Sequence, residues 1–222
     1  MSDKKSNWTE NRKKVLKCVS MLITAAAPFC PIINLAKPFI QEILNSVDDG
    51  DLEKLKYEFG KMHDGLNKIL QMSQETLEVI QMGTIETQFS DIDENIVYQY
   101  NKYKEVIMAE PGNLKKKMAE FVECCENSNT DNNMRNIYDV VMENTIFGNL
   151  EYSHVKKDAM EYFLNRLNYL FFIGFIAIMG YYEAKGIDLQ VPYDQWLKKM
   201  NEVHQKLQER KLNIPAPMQP MS

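Results

Sequence analysis

The side chains best suited to metal binding or acid–base chemistry are few and scattered in this sequence. His63, His154 and His204 are the only histidines among 222 residues, and none has a second histidine four residues away. The spacing of a helical zinc site of the HExxH type is therefore absent. We expect these histidines to be solvated side chains, and we predict neither a metal site nor a cofactor.

The four cysteines also lack the spacing of a ligand set or a redox motif. Cys18 and Cys30 stand alone, and Cys124 and Cys125 are adjacent, so the sequence contains no CxxC. An adjacent pair could close only into a strained ring, and free thiols in a reducing compartment are the simpler interpretation. No local Cys–His pair or glycine-rich phosphate loop is present either. The sequence predicts that the protein is not an enzyme.

One acidic segment imitates the start of a calcium-binding loop. Asp91, Asp93 and Asn95 have the spacing of the first three ligands of an EF-hand. The loop then fails, because its sixth position is not glycine and its twelfth is Lys102 instead of glutamate. An acidic first helical turn after an N-cap at Ser90 accounts for the same residues.

The charge distribution argues against a nucleic-acid partner. The formal net charge is −5, and residues 48–94 carry twelve acidic and four basic side chains. The four arginines are far apart, and no basic run is interleaved with aromatic residues. Because binding to phosphate backbones depends on clustered Lys and Arg, we predict no nucleic-acid binding.

Helical periodicity dominates the rest of the chain. Within residues 52–107 the first apolar positions alternate steps of three and four residues, as in a coiled coil: Leu52, Leu55, Phe59, Met62, Leu66 and Ile69. The stretch fits either one very long helix or two helices broken near Gly83, and Glu110-Pro111-Gly112 should end it.

Further helices are predicted downstream, separated by polar or glycine-containing breaks. We predict helices at Leu114–Cys125, Met134–Phe147 and Lys156–Lys185, and a last helix carrying Trp196, Met200, Val203 and Leu207 on one face. Residues 127–133 should form an exposed loop, and Gly186–Pro192 a break. The predicted fold class is all-α: an elongated helical bundle with a long coiled-coil-like hairpin and a central hydrophobic helix.

These elements suggest a single helical domain at residues 15–212. Residues 1–14 would form a basic flexible N-terminal extension, and the Pro-rich residues 213–222 a disordered tail. We expect a cytoplasmic protein, with membrane association as a further possibility. The alternative is secretion, because residues 12–27 imitate a signal peptide.

Two uncharged segments are candidates for contact with a membrane or a partner. Residues 18–36 lack charge but contain Pro28 and Pro31, whereas residues 167–182 form an uninterrupted apolar stretch. The second would be about 24 Å long as a helix, which is short for a hydrocarbon core of about 30 Å. A helix apolar on every face is also typical of a bundle centre, so a membrane role would require release from the core. The candidate contact residues are Phe171, Phe172, Phe175, Ile176, Met179, Phe29, Ile32 and Ile33.

Three segments carry a resemblance to a known family. Residues 88–96 (QFSDIDENI), 136–142 (NIYDVVM) and above all 166–181 (RLNYLFFIGFIAIMGY) resemble the rapunzel family, best known from fishes. More distantly, the pattern is similar to the cephalotoxin-like group, and its layout to α-helical pore-forming toxins. The resemblance implies a helical protein linked to skeletal and fin development, without an established molecular activity.

Two functional hypotheses from different classes follow. In the first, a non-enzymatic helical bundle engages membrane lipid through residues 18–36 and 167–182. In the second, a soluble cytoplasmic module binds a protein partner or a second copy of itself through the coiled-coil-like helices of residues 52–107.

Overall fold

The computed structural model describes residues 15, 53, 56–57, 59–65, 67, 85–110, 112–143 and 157–212. Within these ranges the backbone is helical and contains no strand, so the predicted all-α class is confirmed. The helices with defined bounds are α1 (Ile85–Met108), α2 (Leu114–Asn127), α3 (Thr130–Met142), α4 (Lys157–Ala184) and α5 (Gln190–Leu212). The segments 1–14, 18–36 and 213–222, and the break near Gly83, lie outside the described residues.

Helix α4 lies at the centre and packs against each of α1, α2, α3 and α5. The reason is its composition, since a helix that is apolar on every face loses least when neighbours cover all of them. The prediction of a central hydrophobic helix is confirmed, and its bounds differ by one residue at each end from those expected.

Helices α1 and α4 run in the same direction and approach closely. A Cβ atom placed on Gly174 would lie 3.3 Å from Ile96 Cγ2, and one placed on Gly180 would lie 2.4 Å from the Tyr103 ring. The two glycines therefore allow the helix axes to come closer than larger residues would. Neither position was expected to serve packing, because glycine in a helix otherwise lowers its stability.

The described helical residues between 53 and 67 run antiparallel to α1. Lys56 Nζ donates to Glu110 Oε1 at 2.6 Å, and further back along α1 the rings of His63 and Tyr100 lie 5.7 Å apart between their centroids. This arrangement agrees with a helical hairpin, whereas the coiled-coil character of residues 52–107 stays a prediction.

Three local predictions were wrong. Residues 127–133 are not an exposed loop: Asn129 adopts a left-handed conformation (φ 49°), its side chain caps α3, and Thr130 and Asn133 are buried. Pro192 lies inside α5 instead of before it, because proline is tolerated in the first turn, where its missing N–H has no helical partner. Ser90 is not an N-cap, since α1 begins at Ile85.

Candidate functional site: an enclosed apolar helix

The middle of α4 is completely enclosed. Every residue from Leu167 to Gly180 is buried, and the stretch contains no charged side chain. The candidate contact residues in this helix have exposed fractions of 0 or 1%: Phe171, Phe172, Phe175, Ile176 and Met179. Phe29, Ile32 and Ile33 lie outside the described residues. The helix is therefore the centre of the core, and its aromatic side chains do not form a surface.

An ion pair fastens α4 to α1 just before the apolar stretch begins. Arg166 Nη2 lies 2.5 Å from Asp93 Oδ1, and Arg166 Nε donates to Asp93 Oδ2 at 2.9 Å. The arginine also lies over the Tyr169 ring, 5.4 Å from its centroid. The sequence could not reveal this pairing, because the two residues are 73 positions apart.

The Asp93–Arg166 pair sits in partly dry surroundings. The side chains are 20% and 14% exposed, and burial raises the pKa of Asp93 even though Arg166 acts to lower it. Desolvation of the carboxylate thus outweighs its attraction to the arginine. The pair joins α4 to α1 at one defined register of the two helices.

Polar contacts also hold the C-terminal end of α4. The Tyr182 hydroxyl donates to Asp131 on α3, and Lys185 Nζ, just after the helix, donates to Glu126 Oε1 on α2 at 2.7 Å. Burial, and then the bond to Asp131, raise the pKa of Tyr182. Helix α4 is consequently held by polar contacts at both ends and packs through apolar surface between them.

The histidines overturn one expectation, because His63 and His204 are buried and not solvated. His63 Nε2 contacts the Asn67 amide at 2.9 Å, while its Nδ1 has no hydrogen-bond partner among the described residues. Burial lowers the pKa of His63 and brings that of His204 down to about 4. His154 lies outside the described residues. Both described histidines are therefore neutral at pH 7 and oppose protonation in the folded state.

Side chains that could bind a metal ion are not clustered in the described part of the chain. The described residues contain no group of three or more His, Cys, Asp or Glu side chains placed to hold a metal ion.

Among the described helices one segment, Arg166–Ala184, is long and apolar enough to cross a membrane by length and composition, with a mean hydropathy of 1.3 over 19 residues. Because 78% of that segment is buried, the same property also fits the core helix of a soluble protein.

Comparisons with known proteins identify the family of this chain. The sequence profile of the cephalotoxin-like middle helical domain matches residues 46–214. The chain is similar to protein rapunzel of Danio rerio, with 39% identity over 203 residues that cover 88% of this chain and 89% of the relative. No solved structure matches it. We conclude that the chain belongs to the rapunzel family and carries the cephalotoxin-like middle helical domain.

Proposed function

We propose that this protein is non-enzymatic and engages membranes by releasing α4 from its core. The observation that supports the proposal is the enclosed, uncharged stretch from Leu167 to Gly180, which belongs to a segment apolar enough to cross a bilayer. In this proposal residues 18–36 form a second apolar element that enters the same lipid.

The length of α4 supports this reading. The 28 residues of Lys157–Ala184 give a helix about 42 Å long at about 1.5 Å per residue, longer than a hydrocarbon core of about 30 Å. The apolar stretch alone falls short of that thickness, but the flanking turns carry it into the headgroup region.

The energetics of release favour control at the helix ends. Apolar side chains that move from a protein core into lipid tails exchange one apolar environment for another, so the middle of α4 opposes the transfer weakly. The contacts that lipid cannot replace are the Asp93–Arg166 pair at one end and the Tyr182–Asp131 and Lys185–Glu126 contacts at the other. These polar contacts then set how easily α4 leaves.

A matched pair of variants tests the proposal. Arg166→Met keeps the aliphatic stem but leaves the half-buried Asp93 carboxylate without its cation, which should destabilise the fold by about 1 to 2 kcal/mol. Lys198→Met removes a cation at an exposed position of α5. We expect the protein to release dye from vesicles of phosphatidylcholine and phosphatidylserine, Arg166→Met to release it several-fold faster, and Lys198→Met to match the unmodified chain.

Hydrogen exchange of α4 amides with and without vesicles separates release from surface binding. The proposal requires α4 to change protection when vesicles leak. Vesicles that stay intact with all three proteins from neutral to mildly acidic pH contradict it, as does leakage with unchanged exchange in α4.

A second candidate function is protein–protein contact through residues 52–107 in the cytoplasm. It is favoured by two exposed aromatic side chains in this stretch, Tyr57 at 64% and Tyr98 at 54% exposure. Sedimentation velocity should then find a dimer or a complex that weakens when Tyr57 is replaced by serine. A strict monomer at all concentrations, with no partner recovered from cells, contradicts this candidate.

A further inference from the structure

An open groove of about 630 Å³ lies between α1 and α2, on the side of α1 away from α4. From α1 it is lined by Asn95, Tyr98 and Lys102, which share one helix face because they are three, four and seven residues apart. The volume is that of a site for a small organic ligand.

The opposite wall is polar as well. Helix α2 contributes Glu120, Glu123 and Asn127, and the α2–α3 turn at Ser128 and Asn129 closes one end. No large aliphatic side chain lines the groove. Its aromatic surface is the exposed ring of Tyr98.

The floor of the groove is held by a chain of hydrogen bonds. The buried Gln99 side chain donates from Nε2 to Ser128 Oγ at 2.6 Å, and Ser128 Oγ donates to the Cys124 carbonyl at 2.5 Å. Asn133 Nδ2 donates to the Ser128 carbonyl at 2.7 Å. The turn that closes the groove is therefore fixed from both α1 and α3, so the groove keeps its shape before any ligand binds.

Several polar groups of the groove are already committed. Lys102 Nζ bonds Glu105 at 3.2 Å and lies 5.7 Å above the Tyr98 ring, and Glu120 accepts from Lys117 at 3.0 Å. Among the described residues, by contrast, the side chains of Asn95, Glu123 and Asn127 make no hydrogen bond or ion pair. The groove thus offers two amides, one carboxylate and one open ring face.

The side chains of Asn95, Glu123 and Asn127, together with the Tyr98 ring, indicate which class of ligand the groove would bind. An anion is disfavoured because Glu120 and Glu123 outnumber Lys102, and a ligand cation would compete with Lys102 for the Tyr98 ring. Each amide offers both donors and an acceptor, which matches a hydroxyl group that also does both. A sugar ring combines such hydroxyls with an apolar C–H face that can pack on an aromatic ring.

The groove also lacks a reactive centre. Cys124 is its one thiol, and burial raises the pKa of that thiol, so the nucleophilic thiolate is scarce at neutral pH. The geometry supports binding without chemistry.

We propose that the groove between α1 and α2 binds a neutral carbohydrate, stacked on Tyr98 and hydrogen-bonded by Asn95, Glu123 and Asn127. This site is independent of the release of α4. The ligand is a sugar that is carried either by a glycolipid or by a soluble glycan, and both sources present the same chemistry to the groove.

The test is a titration of the full chain with the methyl glycosides of glucose, galactose, mannose and N-acetylglucosamine, followed by ¹H–¹⁵N NMR shifts. Tyr98→Ala removes the stacking ring. Tyr57→Ala is the matched control, because Tyr57 is also exposed, at 64% against 54% for Tyr98, and also lies under a lysine, Lys61, at 5.1 Å from its ring centroid. We expect one sugar to shift amides of α1 and α2 with a Kd near the mM range, and Tyr98→Ala to weaken binding about tenfold.

The comparison of the two tyrosine variants distinguishes a sugar site at Tyr98 from non-specific binding. Loss in Tyr98→Ala with retention in Tyr57→Ala supports the site, whereas equal loss in both, or no shifts at about 50 mM sugar, overturns it. A second arm uses phosphatidylcholine vesicles with and without galactosylceramide. Binding to the glycolipid vesicles that Tyr98→Ala abolishes assigns the sugar to a lipid headgroup, and binding of soluble sugar alone assigns it to a soluble glycan.

Discussion

Helix α1 meets its two main neighbours with different contacts on either side of the Tyr103 ring. Toward α4 this ring packs directly on Gly180, and the Asp93–Arg166 pair lies further back along the helix. Toward α2 it packs on Phe121 at 5.1 Å between ring centroids, and beside it Glu105 accepts from Lys117 of α2 at 2.8 Å as well as from Lys102 of α1.

This difference indicates which contacts of α1 tolerate amino-acid substitution. Close packing leaves no room for an added methyl group, so the α1–α4 seam depends on atomic fit. Half-exposed ion pairs are screened by water and rearrange at little cost, so the ionic part of the α1–α2 interface tolerates substitution. The packing that is sensitive to substitution encloses the apolar helix, and the tolerant ion pairs lie toward the groove.

The largest expected effect is acid sensitivity of the apolar core, through His204 on the buried face of α5. Its pKa in the folded protein is about 4, against an ordinary value of 6.5, so the fold requires the neutral ring. This contribution is complete above pH 6.5 and is lost as the pH falls toward 4, amounting to about 3 kcal/mol in all. Urea unfolding at pH 7 and pH 4.5 should show a steeper loss for the unmodified chain than for His204→Gln.

The contact between Glu105 and Lys117 is lost in a lower pH range than the contribution of neutral His204, so the two effects can be distinguished. The hydrogen bond from Lys117 holds the pKa of Glu105 below its usual 4.5, so that contribution is retained until the pH falls below this value. Equal losses for the two proteins between pH 7 and 4.5 would contradict the role given to His204.

The next effect concerns the glycines of the apolar seam. Gly180→Ala places a methyl group 2.4 Å from the buried Tyr103 ring, and we expect a loss of about 2 kcal/mol in unfolding free energy. Gly174→Ala should cost less, because the nearest atom is Met134 Sδ on a flexible side chain. Gly112→Ala is the control, since its Cβ would meet nothing within 4 Å.

A double variant shows whether the fit to Tyr103 is the cause. Gly180→Ala combined with Tyr103→Val should lose less stability than the sum of the two single changes, because Tyr103→Val removes the ring against which the new methyl group clashes. Strict additivity would show that the loss in Gly180→Ala does not come from contact with Tyr103, because helix propensity alone would make alanine stabilising at this position.

The smallest effect is expected in the ionic seam. Lys117→Met removes the cation shared by Glu105 and Glu120 but leaves α2 packed through Phe121 and Cys125. Its urea midpoint should match that of the unmodified chain at moderate salt. A clear loss of stability here would erase the distinction between the two seams.

The elements that composition and periodicity determine could be predicted from the sequence. The helix predicted at Lys156–Lys185 agrees with α4 within one residue at each end, and the spacing of Trp196, Met200, Val203 and Leu207 identified the buried face of α5. Burial of His204 was also readable, because it lies four residues after Met200 and three before Leu207, on the same face. The α3 cap had a local signal too, in Asn129 with Asp131 in the first turn.

What depends on distant residues could not be predicted. The Asp93–Arg166 pair joins positions with no local relation, and Gly180 acquires its importance from a ring that is 77 positions away in the chain. The turn that closes the groove is likewise joined to α1 by the Gln99–Ser128 bond, between residues that are 29 positions apart. Such features follow from the packing of helices and not from the pattern within any one of them.

The position of α4 along the chain also matters during synthesis. A ribosome releases α1, α2 and α3 before α4, so three of the helices that cover the apolar stretch are already available when it emerges. The uncharged stretch of α4 thus emerges when α1, α2 and α3 can already cover it, and α5 is the one helix among those described that follows later. Placing α4 first in a permuted chain would expose it for the whole of translation, with inclusion bodies as the expected result.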